Sequence, residues 1–221
     1  MNQDILIPKM KRIDRNKRRI KIPLINLAAI FFCTLIIIGS TFINFNIRHY
    51  IIPPDIFSNK VLSAEDFVYS FFLIPQIPIV MFVCSVLGRK LSLTSIMLYI
   101  IIGLFLAPVF GLGGGIKYLA QYGFGYILAY IPAVLIAGRF LSNKYSFKNM
   151  ILAATTGVLT IHILGILYMI VIALIKHAGG TFISGWIEAQ SGLKIIYDLI
   201  VSFVLILIGK YLHKGLKFII D

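Results

Sequence analysis

The residues best suited to bind a small molecule are a carboxylate and an amide placed within apolar segments. Asp198 lies a few residues inside the last apolar run, and Gln76 stands between Pro75 and Pro78 in an earlier run. An ionisable group at membrane depth is costly, so it normally faces a cavity or a partner. Prolines interrupt the helix that carries Gln76, where freed carbonyls also need partners. We therefore predict that Asp198 and Gln76 belong to a binding site.

A glycine-rich stretch and several aromatic residues would complete such a site. Gly113, Gly114 and Gly115 allow the backbone to approach a ligand closely, or let a loop fold over it. Aromatic side chains nearby in the sequence would supply apolar walls: Phe110, Tyr122, Tyr126 and Tyr130.

Each of these residues also has a purely structural interpretation, which the sequence leaves open. Asp198 would then sit at the water interface and pair with Lys194, which precedes it by four residues on a helix. Gln76 would make an interhelical hydrogen bond that only holds the bundle together. The glycines would form a flexible loop, and the aromatic residues would form an interfacial belt.

The sequence carries no recognisable catalytic, metal-binding or nucleotide-binding motif. The stretch from Gly111 to Lys117 resembles a phosphate loop, but Ile116 separates Gly115 from Lys117 and Tyr118 stands where a hydroxyl of Ser or Thr is needed. The histidines are scattered without metal-ligand spacing. We predict a protein that is not an enzyme and that uses no cofactor and no metal.

The composition indicates that an apolar bilayer surrounds these residues. The chain is 59% hydrophobic and 13% charged, with a mean hydropathy of +0.95, as expected of an integral membrane protein. The net charge of +13 is better explained by flanks that hold anionic lipid headgroups than by nucleic-acid binding. The predicted fold class is an all-α integral membrane protein, a compact bundle of six transmembrane helices.

The distribution of basic residues predicts the orientation of this bundle. If the chain crosses the bilayer six times, 16 of its 21 Lys and Arg residues fall on the side of the termini. Cytoplasmic loops carry the excess of Lys and Arg, so both termini should be cytoplasmic. We expect a basic cytoplasmic segment at 1–22 and a single six-helix transmembrane domain at 23–221. The predicted spans are 23–45, 67–87, 91–106, 122–140, 150–175 and 193–212.

The order of short motifs along residues 72–212 resembles the BioY family, the biotin-specific substrate-capture (S) subunits of energy-coupling-factor (ECF) transporters. The resemblance rests on several pieces in a shared order: Gln76, Leu87-Gly-Arg-Lys-Leu-Ser92, Tyr99-Ile-Ile-Ile-Gly103, Ala107-Pro-Val-Phe110, Gly113-Gly-Gly115, Gly125-Tyr126, His162-Ile-Leu-Gly165 and Tyr197-Asp-Leu199.

The resemblance implies how such a site binds biotin. Asp198 would accept hydrogen bonds from the ureido N–H groups, since charge-assisted bonds are the strong ones. Tyr122, Tyr126 and Phe110 would bury the sulfur-containing ring, and residues 113–115 would close as a lid. The family has a Lys where this chain has Val201. Lys194 or Lys117 could instead meet the carboxylate tail.

The resemblance also implies partners in a bacterial plasma membrane. A transmembrane coupling subunit and two cytoplasmic ATPases would drive release of the captured vitamin. Ala29 and Cys33, which have a small-xxx-small spacing, lie where such S subunits present small residues to the coupling subunit. Two alternatives stay open: an S subunit for a different small vitamin, favoured by Val201, and a membrane protein with a structural or assembly role.

Overall fold

The computed structural model describes residues 24–58, 61–143 and 145–220. This part of the chain is mostly helical, and five of its helical segments are long and apolar enough to cross a membrane. The predicted basic segment 1–22 lies outside the described residues, as do Pro23 and Lys144. The helices are α1 (Leu24–Thr41), α2 (Gln76–Ile101), α3 (Phe124–Asn143), α4 (Phe147–Ile175), α5 (Gly180–Ser191) and α6 (Lys194–Ile220).

Helix α2 is a helical hairpin that turns back at Gly88. Gly88 has φ +73° and ψ 173°, a conformation that is essentially restricted to glycine. The Nε2 atom of Gln76 lies 2.7 Å from the hydroxyl of Tyr99, 23 residues away. In a straight helix these two residues would be roughly 35 Å apart. The two halves of α2 are therefore antiparallel neighbours, as the short turn at residues 88–90 predicts.

Side chains from two other elements cap the carbonyls that this turn frees. The Tyr145 hydroxyl donates to the Ser85 carbonyl oxygen at 2.6 Å, and Nδ1 of His213 lies 2.8 Å from the Val86 carbonyl oxygen. Buried backbone groups need such partners. The bonds tie the turn to α6 and to the connection between α3 and α4.

The predicted start of the second span, residues 67–75, is wrong because the chain forms a β-hairpin there. Strand β1 (Phe45–Tyr50) pairs antiparallel with β2 (Val68–Leu73). The β2 sequence is rich in aromatic and β-branched residues, which favour a strand, and a residue before Pro75 is biased away from the helical conformation. Ser63 and Asp66 do form a capping box, but it starts only a single 3-10 turn.

A second correction concerns residues 176–192, which the predicted spans 150–175 and 193–212 treat as a connecting loop. Most of this segment is helix α5, a 12-residue element. Its glycines suggest a loop, but Phe182, Trp186 and Gln190 recur every four residues and share one face. The segment 107–122 is a loop that contains one short 3-10 turn at Ile116–Ala120.

Close packing between α3 and α4 forms much of the core. A Cβ atom added at Gly165 would lie 2.6 Å from the Tyr126 ring, and one added at Gly125 would meet Tyr168. Small residues of this kind let membrane helices approach closely.

Substitution of Gly88 tests whether the α2 turn depends on glycine. We expect Gly88→Ala to lower the free energy of unfolding by about 1–3 kcal/mol, because Ala is strained at this φ and ψ. Unfolding in detergent measures the change. Gly39→Ala is the control, since a Cβ at Gly39 meets nothing within 4 Å and helical Ala is favourable. Equal losses in the two variants would contradict the argument.

Candidate functional site

A cavity of about 210 Å³ lies where five helices (α1, α2, α3, α5 and α6) meet the glycine-rich loop, with Ile74 after β2 also in its lining. This volume is below the range of about 300–1,000 Å³ typical of drug-sized ligand sites, so the cavity suits a small molecule. Its lining mixes apolar surface with a few polar side chains: Thr41, Gln76, Tyr118, Tyr126, Tyr130, Trp186, Gln190 and Lys194.

Gln76 is fixed at the first turn of α2 by two hydrogen bonds. Its Nε2 atom donates to Oγ1 of Thr41 at 2.8 Å and to the Tyr99 hydroxyl at 2.7 Å. These bonds use the two N–H groups of the amide and leave its oxygen as an acceptor. Because Gln76 lines the cavity, this oxygen is suited to accept a hydrogen bond from a ligand N–H group.

A chain of four polar side chains runs from the cavity wall into the bundle. The hydroxyl of Tyr126 lies 2.8 Å from Oγ of Ser191, which lies 2.8 Å from Nδ1 of His162. Nε2 of His162 lies 3.2 Å from Oδ2 of Asp198. With the Nε2 proton directed at the carboxylate, Nδ1 accepts from Ser191 and Ser191 accepts from Tyr126. Each proton along the chain then has an acceptor.

Asp198 keeps one unpaired acceptor. Its side chain is fully buried, and its Oδ1 atom has no hydrogen-bond partner among the described residues. Asp198 is not part of the cavity lining. The chain of bonds through His162 and Ser191 connects it to Tyr126, which is. Asp198 is thus not exposed, and its ion contact is with the buried His162.

Lys194 supplies a cation to the same cavity. Its side chain is only 9% exposed, yet it lines the cavity at the first residue of α6. The buried ammonium group can donate hydrogen bonds but cannot accept them. The cavity therefore carries a positive group as well as acceptors.

Two predicted aromatic residues lie beside the cavity and not in its lining. Phe110 is almost fully buried, and its ring centroid lies 5.3 Å from that of Tyr99 and 4.7 Å from that of Tyr118. Tyr122 contacts α5, with its ring centroid 5.4 Å from Trp186. Of the predicted aromatic walls, Tyr126 and Tyr130 line the cavity.

The predicted glycines form a tightly packed turn beside the cavity. Gly113 and Phe110 exchange two backbone hydrogen bonds of 2.9 Å, and the Gly115 N–H donates to the Gly103 carbonyl at 2.8 Å. A Cβ at Gly114 would lie 2.7 Å from the Cα of Pro108. The turn places neighbouring Gly111 and Leu112 in the cavity lining. Gly114 serves its close packing, while Gly113 and Gly115 have positive φ values of 118° and 84°, which favour glycine.

Sequence reasoning missed His162, Ser191, Trp186 and Tyr118. The position of His162 inside an apolar run does indicate that it needs a polar partner. The sequence does not identify Asp198 as that partner, because the two residues are far apart along the chain. Tyr118 was considered only as a departure from a phosphate loop. Burial raises the pKa of its hydroxyl above the ordinary value, so Tyr118 is a neutral hydrogen-bonding group at neutral pH.

An apolar groove of about 560 Å³ lies between α1, α2 and α6. Ala29 and Cys33 line it together with small or aliphatic residues, including Ala28, Val86 and Gly215. Ala29 is half-buried and Cys33 is buried.

Within the described residues, no group of His, Cys, Asp and Glu side chains could hold a metal ion.

The structure is similar to the crystal structure, at 2.1 Å, of the S-component for biotin from an ECF-type ABC transporter, with a TM-score of 0.61 and 20% sequence identity. The similarity covers 86% of this chain and 92% of that chain. The fold is thus that of an S-component. The BioY family model matches residues 15–218, and the chain belongs to the BioY family, which confirms the resemblance in the sequence.

Two curated relatives are similar over shorter stretches. A probable biotin transporter BioY of Lysinibacillus sphaericus is 35% identical over 98 residues, which are 43% of this chain and 50% of the relative. One of Pyrococcus horikoshii is 35% identical over 119 residues, which are 48% of this chain and 74% of the relative. The chain thus spans about half the length of the first relative.

Breaking the contact between His162 and Asp198 should destabilise the bundle. We expect His162→Ala to lower the free energy of unfolding by about 3–5 kcal/mol, because it leaves a buried charge without its partner. Asp198→Asn should remove much of that penalty, so the double variant should be more stable than the summed losses predict. Unfolding in detergent measures the cycle.

Ser202→Ala is the matched control for this cycle. Ser202 lies one turn beyond Asp198 on α6, and its buried Oγ has no hydrogen-bond partner among the described residues. Its removal should change stability little. Additive losses at residues 162 and 198 would contradict a coupled pair.

Proposed function

We propose that this chain is the substrate-capture subunit of an ECF-type importer and that its substrate is biotin. The observation that carries the proposal is a small cavity, in a member of the BioY family, that combines a free amide oxygen with a buried cation. Biotin has ureido N–H donors, an apolar sulfur-containing ring and a carboxylate, and each has a counterpart in this cavity.

The ureido group would bind beside Gln76, and a shift of the lining side chains would let it reach the carboxylate of Asp198 behind them. The oxygen of Gln76 would accept one N–H, and Asp198 has an unpaired Oδ1 atom as a second acceptor. Acceptance by a carboxylate makes such a bond stronger than a neutral one. The link from Asp198 to Tyr126 through His162 and Ser191 would hold the charge in place when the substrate binds.

The remainder of biotin would meet the apolar and positive parts of the cavity. Tyr126 and Tyr130 would bury the sulfur-containing ring, with Phe110 supporting them from behind. Lys194 would meet the carboxylate, in place of the Lys that the family carries where this chain has Val201. Residues 113–115 would hold Gly111 and Leu112 over the substrate, and Tyr122 would anchor α5 beside it.

Six membrane crossings with both termini in the cytoplasm fit this role. The turn at Gly88 divides α2 into two antiparallel halves, and Arg89 and Lys90 follow it directly. This division supports six crossings, one more than the five helical segments that are long and apolar enough to cross a membrane. In this topology the segment 1–22 is a basic cytoplasmic flank, and 23–221 forms one capture domain in a bacterial plasma membrane.

Release into the cell would need partner subunits. A coupling subunit in the membrane would dock on the groove that contains Ala29 and Cys33, since small residues let a partner helix approach closely. Two cytoplasmic ATPases would supply the energy. The isolated chain would bind biotin without turnover.

Equilibrium binding of biotin to the detergent-purified chain tests this function. We expect Gln76→Leu and Asp198→Asn each to weaken binding about 10- to 100-fold, because Leu removes an acceptor from a buried site and Asn removes the charge that strengthens a hydrogen bond. Isothermal titration calorimetry measures the affinities. Ile200→Ala is the control, because Ile200 lies two residues beyond Asp198 on α6 and its side chain is 60% exposed.

Two results would contradict the proposal. Unchanged affinity in Asp198→Asn would exclude its carboxylate from binding. A folded wild-type chain that binds no biotin would remove biotin as the substrate, and other small vitamins should then be titrated because of Val201.

A further inference from the structure

Helix α5 brings a second hydrogen-bond donor to the cavity beside Lys194. Trp186 and Gln190 lie one turn apart on α5, and both line the cavity. We propose that the indole N–H of Trp186 binds the carboxylate of the substrate together with Lys194, so that α5 selects ligands with an anionic end. This inference rests on the proposed function and assigns a specificity-determining residue to it.

The indole N–H is buried and needs an acceptor. Nε1 of Trp186 has no hydrogen-bond partner among the described residues, although buried polar groups in proteins are almost always paired. An indole nitrogen can only donate. A ligand oxygen in the adjoining cavity would accept this hydrogen bond and remove the free-energy cost of a buried, unpaired N–H group.

The positive charge of Lys194 favours an acceptor that carries a negative charge. Its ammonium group is buried at the start of α6, three residues beyond the end of α5. Trp186 and Lys194 together offer only donors, one of them charged, which matches a carboxylate and disfavours a neutral or positive group. Asp198 lies one turn further along α6, but its Oδ2 atom contacts His162.

An aromatic cluster fixes the position of Trp186. Its ring centroid lies 5.4 Å from that of Tyr122 and 6.0 Å from that of Phe182. The Nζ atom of Lys176 lies 4.5 Å from the centroid of the Tyr122 ring, a cation–π contact. A donor held in this way loses little conformational freedom when a ligand binds.

A pair of ligands separates carboxylate recognition from binding in general. Biotin and biotin methyl ester differ only in the charge and shape of the carboxyl end. We expect Trp186→Phe, which keeps a ring but removes the N–H, to weaken biotin binding about tenfold. Its effect on biotin methyl ester should be less than about twofold. Calorimetry on the full-length chain measures both ligands, and Phe182→Leu serves as a control for repacking of α5.

The outcomes distinguish this inference from the proposed function. Equal losses for both ligands, or no loss in Trp186→Phe, would overturn the role of the indole N–H while biotin capture stands. A wild-type chain that binds neither ligand would overturn the proposed function, and this inference with it.

The wild-type chain provides a second measurement that needs no folded variant. Trp186 is the only tryptophan of the chain, so its fluorescence reports on this position alone. Saturating biotin should change the emission of Trp186, and saturating biotin methyl ester should change it much less. An equal change with both ligands would contradict a carboxylate bound at the indole.

Discussion

The structure depends on one costly feature, a carboxylate buried inside an apolar bundle. Asp198 is fully buried on α6, and only a partner with a proton to donate makes such burial tolerable. His162 on α4 supplies that partner at 3.2 Å, and Ser191 and Tyr126 continue the chain of bonds to the cavity wall. Polar contacts thereby connect four elements, α3, α4, α5 and α6.

The second constraint is the turn in α2. Gly88 lets the chain reverse within one residue, and the reversal brings Gln76 to Tyr99. Gln76 thus reaches the cavity from the side of α2, while Tyr126 and Lys194 reach it from α3 and α6. The same turn presents Val86 and Leu87 to the groove that also contains Ala29 and Cys33. One glycine therefore shapes both the cavity and the apolar groove.

The sequence predicts what depends on local composition and fails where distant residues meet. Long apolar runs predict helices α1, α3, α4 and α6, and Gly88 before two basic residues predicts the turn. The strand β2 was taken for helix because an apolar segment of six residues has no decisive period. Gln76 is predicted from its polarity, from the prolines on either side of it and from the order of motifs along the chain. His162 is not predicted as a site residue, because its role depends on contact with Asp198, 36 residues away. Only the packing of α4 against α6 brings the two side chains together.

The most direct test is to locate the sulfur of bound biotin in crystals by long-wavelength anomalous diffraction. The sulfur atoms of Cys33, Cys84 and Met81 serve as internal markers in the same map. The account predicts one additional peak, in the cavity beside Tyr126 and Tyr130, in crystals grown with saturating biotin. A peak in the groove along α1, or no additional peak in crystals of a chain that binds biotin in solution, would contradict it.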